Sequence, residues 1–148
     1  MILTLQRCEI GARITNNVLR YGHGGNEMGK RLLIVEDYED SRQLMRHYLE
    51  AEGHSVIEAA GAYEGIEKAE RYHPDLIFMD IGLPLLDGLS AAKIILSKRD
   101  LIGIPIVIVT AFRDINDQAR DAGCTGVIYK PVNYPALKNI LDFHFAGH

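Results

Sequence analysis

The chain contains no tryptophan and only two cysteines, Cys8 and Cys124. Two thiols so far apart, with no Cys-x-x-Cys spacing, exclude a disulfide scaffold and a thiolate zinc site, and they fit a reducing compartment. No apolar run approaches the roughly 20 residues that cross a bilayer. The opening Met1-Ile2-Leu3-Thr4-Leu5 lacks the basic region and the length of a secretory leader. Basic charge is in short supply as well: 16 Lys and Arg against 20 Asp and Glu give a net charge of -4. That balance argues against non-specific binding to nucleic acid or to acidic membranes. Repeats and low-complexity tracts are missing too. These absences describe a soluble, cytoplasmic protein that partners neither nucleic acid nor membrane.

What is present suits one domain. The chain has 148 residues, 47% of them apolar, enough for a single core. Residues 1–29 stand apart. They carry scattered apolar positions and end in Gly22-His23-Gly24-Gly25-Asn26-Glu27-Met28-Gly29, a turn-rich stretch. They read as a flexible N-terminal extension to a domain over 30–148, and Met28 is an alternative start of translation.

From Lys30 onward, strand and helix signals alternate. Apolar runs predict strands over 31–35, 55–59, 75–80, 105–110 and 126–129. Helical periodicity predicts helices over 39–52, 62–72, 87–98, 114–122 and from about Pro135 to His144. The first helix is expected to bury Leu44, Met45, Tyr48 and Leu49, to be capped by Asp37 or Asp40, and to stop at Gly53. Five β-α units of this length imply an α/β fold, a doubly wound parallel sheet of the flavodoxin-like kind with strand order 2-1-3-4-5. Strands one, three and four are continuous apolar runs, as strands buried on both faces should be. Strand two, with Ser55 and Glu58, is polar enough for an edge. Only Ala146-Gly147-His148 follows the last helix, so no C-terminal output domain is expected.

In such a sheet the ligand crevice lies beyond the carboxyl ends of the strands. Five chemical residues fall there: Glu36 and Asp37 after strand one, Asp80 after strand three, Thr110 at the end of strand four and Lys130 at the end of strand five. Each alone has a plain reading: the Glu36-Asp37 pair as a helix cap, Asp80 as a loop cap, Thr110 as a strand former, Lys130 as a surface lysine in a turn. Together they form a set. Converging carboxylates repel without a cation, and oxygen-only ligation suits Mg²⁺ or Mn²⁺. A carboxylate at a buried strand end can act as a nucleophile toward phosphorus. A threonine hydroxyl and a lysine ammonium can bind phosphoryl oxygens. The Lys130–Pro131 bond is a candidate cis peptide.

The motifs Leu33-Ile34-Val35-Glu36-Asp37, Asp75-Leu76-Ile77-Phe78-Met79-Asp80, Leu83-Pro84 with Asp87-Gly88, Pro105-Ile106-Val107 leading to Thr110-Ala111, and Lys130-Pro131 resemble the receiver domain of bacterial two-component response regulators. The resemblance covers residues 31 to about 144. It implies a stand-alone receiver in which Asp80 accepts a phosphoryl group from a phosphohistidine of a sensor kinase or histidine phosphotransfer protein. It implies that Glu36, Asp37, Asp80 and the Gly82 backbone carbonyl hold Mg²⁺ (or Mn²⁺). Thr110, the Ala111 amide and Lys130 would then bind the phosphoryl oxygens. The signal would pass to a protein target through the face of helix four, strand five and helix five, with self-phosphorylation and slow self-dephosphorylation but no external substrate.

Two departures from that family stand out. The position three before the lysine, commonly aromatic, is Val127, and Tyr129 is expected on the other side of the strand. Gly82 and Phe112 occupy positions near the phosphoryl group that are often polar. Three other classes compete. A degenerate receiver would serve as a phosphorylation-independent interaction module. A flavodoxin-like cofactor binder would want a Ser/Thr/Gly-rich first loop, where this chain has Glu36-Asp37-Tyr38-Glu39-Asp40. An aspartyl-phosphate hydrolase would carry an Asp two residues after its nucleophile, where this chain has Gly82.

Overall fold

Five parallel strands lie in the order β2-β1-β3-β4-β5 in a computed structural model that describes residues 29–146. They are β1 (Arg31–Val35), β2 (Ser55–Ala59), β3 (Leu76–Asp80), β4 (Ile106–Thr110) and β5 (Gly126–Tyr129), and each is followed by a helix. The helices are α1 (Glu39–Ala51), α2 (Ala62–Tyr72), α3 (Gly88–Ser97), α4 (Asn116–Asp121) and α5 (Tyr134–Phe145), with a short 3-10 turn at Arg99–Leu101 after α3. The expectations for the extension and for Met28 concern residues outside those described. Among the described residues no helix is long and apolar enough to cross a membrane.

Alternation of side chains along the strands builds two apolar layers. Leu33, Val35, Ile77, Met79, Ile106 and Ile108 face α2, α3 and α4 through Ile66, Ala69, Ala92, Ile95 and Ala119. Leu32, Ile34, Leu76, Phe78, Val107 and Val109 face α1 and α5 through Met45, Leu49, Leu137 and Leu141. Strands sandwiched this way must be apolar on both sides, and β3 and β4 are buried at every position. The half-buried β2 is the edge beside β1.

The expected elements appear with small shifts at their ends. Gly53 takes φ +94 just past α1, the left-handed conformation that ends a helix. Asp87 caps α3 by accepting the Ser90 N–H at 2.9 Å, and Asn133 caps α5 by accepting the Ala136 N–H at 2.9 Å. The fourth helix starts later than expected, because Asp114 stands at φ +58 and breaks the helical path. Two local expectations fail. Tyr38, not Asp37 or Asp40, occupies the N-cap of α1, with no side-chain cap. Leu44 is 44% exposed. Met45 and Leu49 point inward, and a residue one position before Met45 is turned about 100° away from that direction.

Candidate functional site

The strand register sets the site. Val35 pairs with Met79 across β1 and β3, so Glu36 and Asp37 leave β1 level with the end of β3, where Asp80 stands. Asp80 pairs with Val109, and Thr110 with Tyr129, which carries the line on to Lys130. The Lys130 amide donates to the Thr110 carbonyl at 2.8 Å, and the Lys130–Pro131 peptide is cis.

The structure brings Glu36, Asp37, Asp80 and Lys130 together. Carboxylate oxygens of the three acids lie within 4.8 Å of one another. Glu36 is 2% exposed and Asp80 is 7% exposed, while Asp37 faces solvent. The Lys130 ammonium reaches into the cluster, 2.8 Å from Glu36 Oε1 and 3.4 Å from Asp80 Oδ2. Asp80 Oδ1 accepts the Gly82 N–H at 3.3 Å. Glu36 Oε2 accepts the Tyr38 N–H at 3.0 Å. Thr110 is buried, and its Oγ1 accepts the Phe112 N–H at 2.9 Å, so the hydroxyl is turned to its own loop.

Burial raises the Glu36 carboxyl above its usual range; the Lys130 ammonium and the Tyr38 amide pull it down, and the Asp80 charge adds to the rise. For Lys130, burial disfavours the charge, but the Glu36 and Asp80 carboxylates outweigh it and the ammonium is held above its usual range. Three acids against one ammonium leave excess negative charge in a half-closed cleft. Glu36 Oε1 is buried with no aligned hydrogen bond and rests against the Lys130 charge at 2.8 Å. An oxygen-only donor set of this net charge fits a hard divalent cation.

Two residues around the site were not legible in the sequence. Arg42 of α1 donates to the Glu36 carbonyl at 2.9 Å and to Glu58 Oε1 of β2 at 2.8 Å, tying the first site residue to helix and edge strand. An arginine in a helical pattern looks like any solvated one until the strand order is known. Arg113 lies over the Tyr129 ring, 4.8 Å from its centroid. Here the expectation for Tyr129 is wrong. Val127 and Tyr129 both pack toward the α2-α3-α4 layer, and Ile128 alone turns to the other. Residues two apart on a strand share a face. Val127 does leave the usual aromatic position without a ring, but an aromatic stands one step further along the same side.

Residues 32–142 match the model of the response regulator receiver domain. The chain belongs to the response regulator receiver family. This receiver is 39% identical over 110 residues to the polar-differentiation response regulator DivK of Brucella ovis, a match covering 73% of this chain and 89% of that relative. Its fold is similar to the receiver domain of the sensor histidine kinase PA1611 of Pseudomonas aeruginosa, whose structure has a magnesium ion coordinated in the active site cleft. That match has a TM-score of 0.74 at 29% identity and covers 80% of this chain and 99% of that one. The chemotaxis response regulator CheY4 of Vibrio cholerae matches with a TM-score of 0.75 at 26% identity, over 80% of this chain and 100% of its own. The receiver is a component of phosphorelay signalling. Family membership favours this use of the fold over the flavin-binding and hydrolase alternatives.

Proposed function

We propose that Asp80 is the phospho-acceptor of this receiver, taking a phosphoryl group from a phosphohistidine of a sensor kinase or histidine phosphotransfer protein. The observation that carries the reading is the Lys130 ammonium set between Glu36 and Asp80 inside a buried carboxylate cluster. Glu36, Asp37, Asp80 and the Gly82 carbonyl would hold Mg²⁺ (or Mn²⁺), whose charge would draw phosphoryl oxygens to the cleft and offset their negative charge.

The chain's own groups do the rest. An Asp80 carboxylate oxygen forms the new P–O bond while the P–N bond to the donor imidazole breaks, its electron pair leaving with the ring nitrogen. Lys130 neutralises charge on the transferred group, and the Gly82 N–H keeps the Asp80 carboxylate oriented. Thr110 exchanges its contact with the Phe112 amide for one to a phosphoryl oxygen, its hydroxyl now donating, and the Ala111 amide joins it. That exchange loosens the Phe112–Arg113 segment and gives phosphorylation its structural readout. Slow attack by water on phosphorus returns Asp80 to a carboxylate, with no other substrate turned over. The signal passes to a protein target through the face of α4, β5 and α5, in the cytoplasm. Residues 30–148 form the receiver and 1–29 an extension to it.

Intact mass after incubation with acetyl phosphate and Mg²⁺ tests the reading. One added phosphoryl group is expected, lost in Asp80→Asn and lost with a chelator. If wild type gains no mass and its spectra do not respond to beryllofluoride, the site is degenerate and the chain is an interaction module.

A further inference from the structure

We propose that Gly88 is a positioning residue for the metal-binding loop: having no side chain, it lets the first turn of α3 lie against the Asp80 carbonyl and so fixes Gly82 beside the Asp80 carboxylate. This rests on the metal-bound reading of the site given above.

The loop between Asp80 and α3 contains Gly82 and leads into Gly88, and their surroundings are opposite. A Cβ on Gly82 would meet nothing within 4 Å, so a side chain fits there. A Cβ on Gly88 would lie 2.0 Å from the Asp80 carbonyl oxygen, 2.8 Å from the Asp80 carbonyl carbon and 3.0 Å from Ile81 Cα. All three are backbone atoms and cannot rotate away. At Gly65 and Gly123 the tightest clash, 2.8 Å, is with a side-chain methyl of Val35 or Leu96, which can move.

The clash would be relieved on the loop side. Asp80 is the last residue of β3, paired with Val109 of β4, and β1 holds the other flank of β3. The loop has fewer ties, and two of its three backbone hydrogen bonds converge on one atom, the third joining the Leu86 N–H to the Pro84 carbonyl at 2.8 Å. The Ile81 carbonyl accepts the Leu83 N–H at 2.8 Å and the Gly88 N–H at 3.0 Å. The first of these bonds closes a three-residue turn with Gly82 at its centre. The second anchors α3 to the same carbonyl. Moving Gly88 outward therefore pulls on the turn that presents Gly82, whose N–H meets Asp80 Oδ1. Asp87 secures the arrangement, Oδ1 taking the Ser90 N–H and Oδ2 the Ser90 hydroxyl, both at 2.9 Å. Gly88 thus acts on the site through Gly82, eight positions along the chain from the phospho-acceptor and against its backbone.

The test uses the full chain with Mn²⁺ as the probe, free Mn²⁺ being read by electron paramagnetic resonance at a temperature where every variant is folded. Gly88→Ala is expected to bind Mn²⁺ about tenfold more weakly than wild type, the scale seen when a partner of a metal ligand is displaced. Leu101→Ala, buried in the 3-10 turn outside this loop, is the control: it lowers melting temperature and keeps wild-type Mn²⁺ affinity. Should Gly88→Ala not fold, the Asp87 pair decides. Asp87→Ala weakens Mn²⁺ binding by loosening the same turn, and Asp87→Ser, which restores a cap, recovers it. Wild-type affinity in Gly88→Ala overturns the proposal, as does equal affinity across both Asp87 variants and wild type. A wild-type protein that binds no Mn²⁺ overturns the metal reading itself.

Discussion

Replacing Asp80 by Asn should make the metal-free receiver more stable, although it removes the residue on which signalling depends. The carboxylate oxygens of Glu36 and Asp80 lie within 4.8 Å, where two unit charges repel by about 3.5 kcal/mol at an effective dielectric of about 20. Asp37 faces water, and at a dielectric of about 80 its repulsion of Asp80 falls to about 1 kcal/mol. Lys130 at 3.4 Å returns about 5 kcal/mol of attraction on the first scale, less whatever its partial exposure screens. These terms nearly cancel, which leaves the cost of burying the Asp80 carboxylate uncompensated. Asn keeps an oxygen for the Gly82 N–H and carries no charge, and Lys130 keeps Glu36. The expected gain is about 1 kcal/mol, or about 4 °C in melting temperature for a domain of this size. Mg²⁺ reverses the order, because binding at a hundred times its dissociation constant stabilises wild type by about 2.7 kcal/mol and the Asn variant by much less. Thermal melts by circular dichroism, in chelator and in Mg²⁺, read both effects. An Asn variant less stable than wild type in chelator, or one that gains equally from Mg²⁺, would refute the reasoning.

His54 Nδ1 accepts the Lys30 N–H at 3.0 Å, and burial lowers its pKa below 6.5, against Glu52 and Asp75 and with Lys30 and Lys138. The folded state therefore prefers neutral His54; that stability is complete above the unfolded value and is lost as pH falls through it toward the folded one. Urea midpoints should drop between pH 7 and pH 5, and His54→Asn, which keeps an acceptor near Nδ1, should flatten part of that slope. Phe112 is 59% exposed beside Thr110, and Gly82 leaves open space. Phe112→Glu and Gly82→Asn supply polar groups to orient attacking water and should shorten phosphoryl lifetime by about tenfold; unchanged decay of the adduct in both would count against an effect of either position. Burial pushes the Cys124 thiol from 9.0 up to about 11. In a Cys8→Ser background at pH 8, alkylation should run about 100-fold slower than for an ordinary thiol, because the thiolate is the reactive form. A rate like that of free cysteine would show the thiol to be open to water.

The strands were legible because a strand covered on both faces has to be a continuous apolar run, and Leu76-Ile77-Phe78-Met79 and Ile106-Val107-Ile108-Val109 read as nothing else in a chain of this length. Helix ends read less well. The N-cap of α1 is Tyr38, which offers no capping side chain, while the flanking Asp37 and Asp40 look like better caps in the sequence. The delay of α4 rests on the left-handed Asp114, which carries no mark that distinguishes it from a helical aspartate. The expectation that Tyr129 lies on the other side of β5 from Val127 fails, since residues two apart on a strand share a face.

By itself the sequence determined the strand ends, and with them the five polar residues that stand there, because burial forces apolar runs and the polar residue that ends each run is visible; four of the five, Glu36, Asp37, Asp80 and Lys130, meet beyond the sheet. The tertiary structure alone decided how those residues share charge. Lys130 pairs with Glu36 and Asp80 only because β5 lies two strands from β3, and Arg42 holds Glu36 only because α1 packs beside β2. Gly88 looked like half of a motif. Its missing Cβ matters because α3 returns to lie on the Asp80 carbonyl, a distance set by packing and absent from any local pattern of residues.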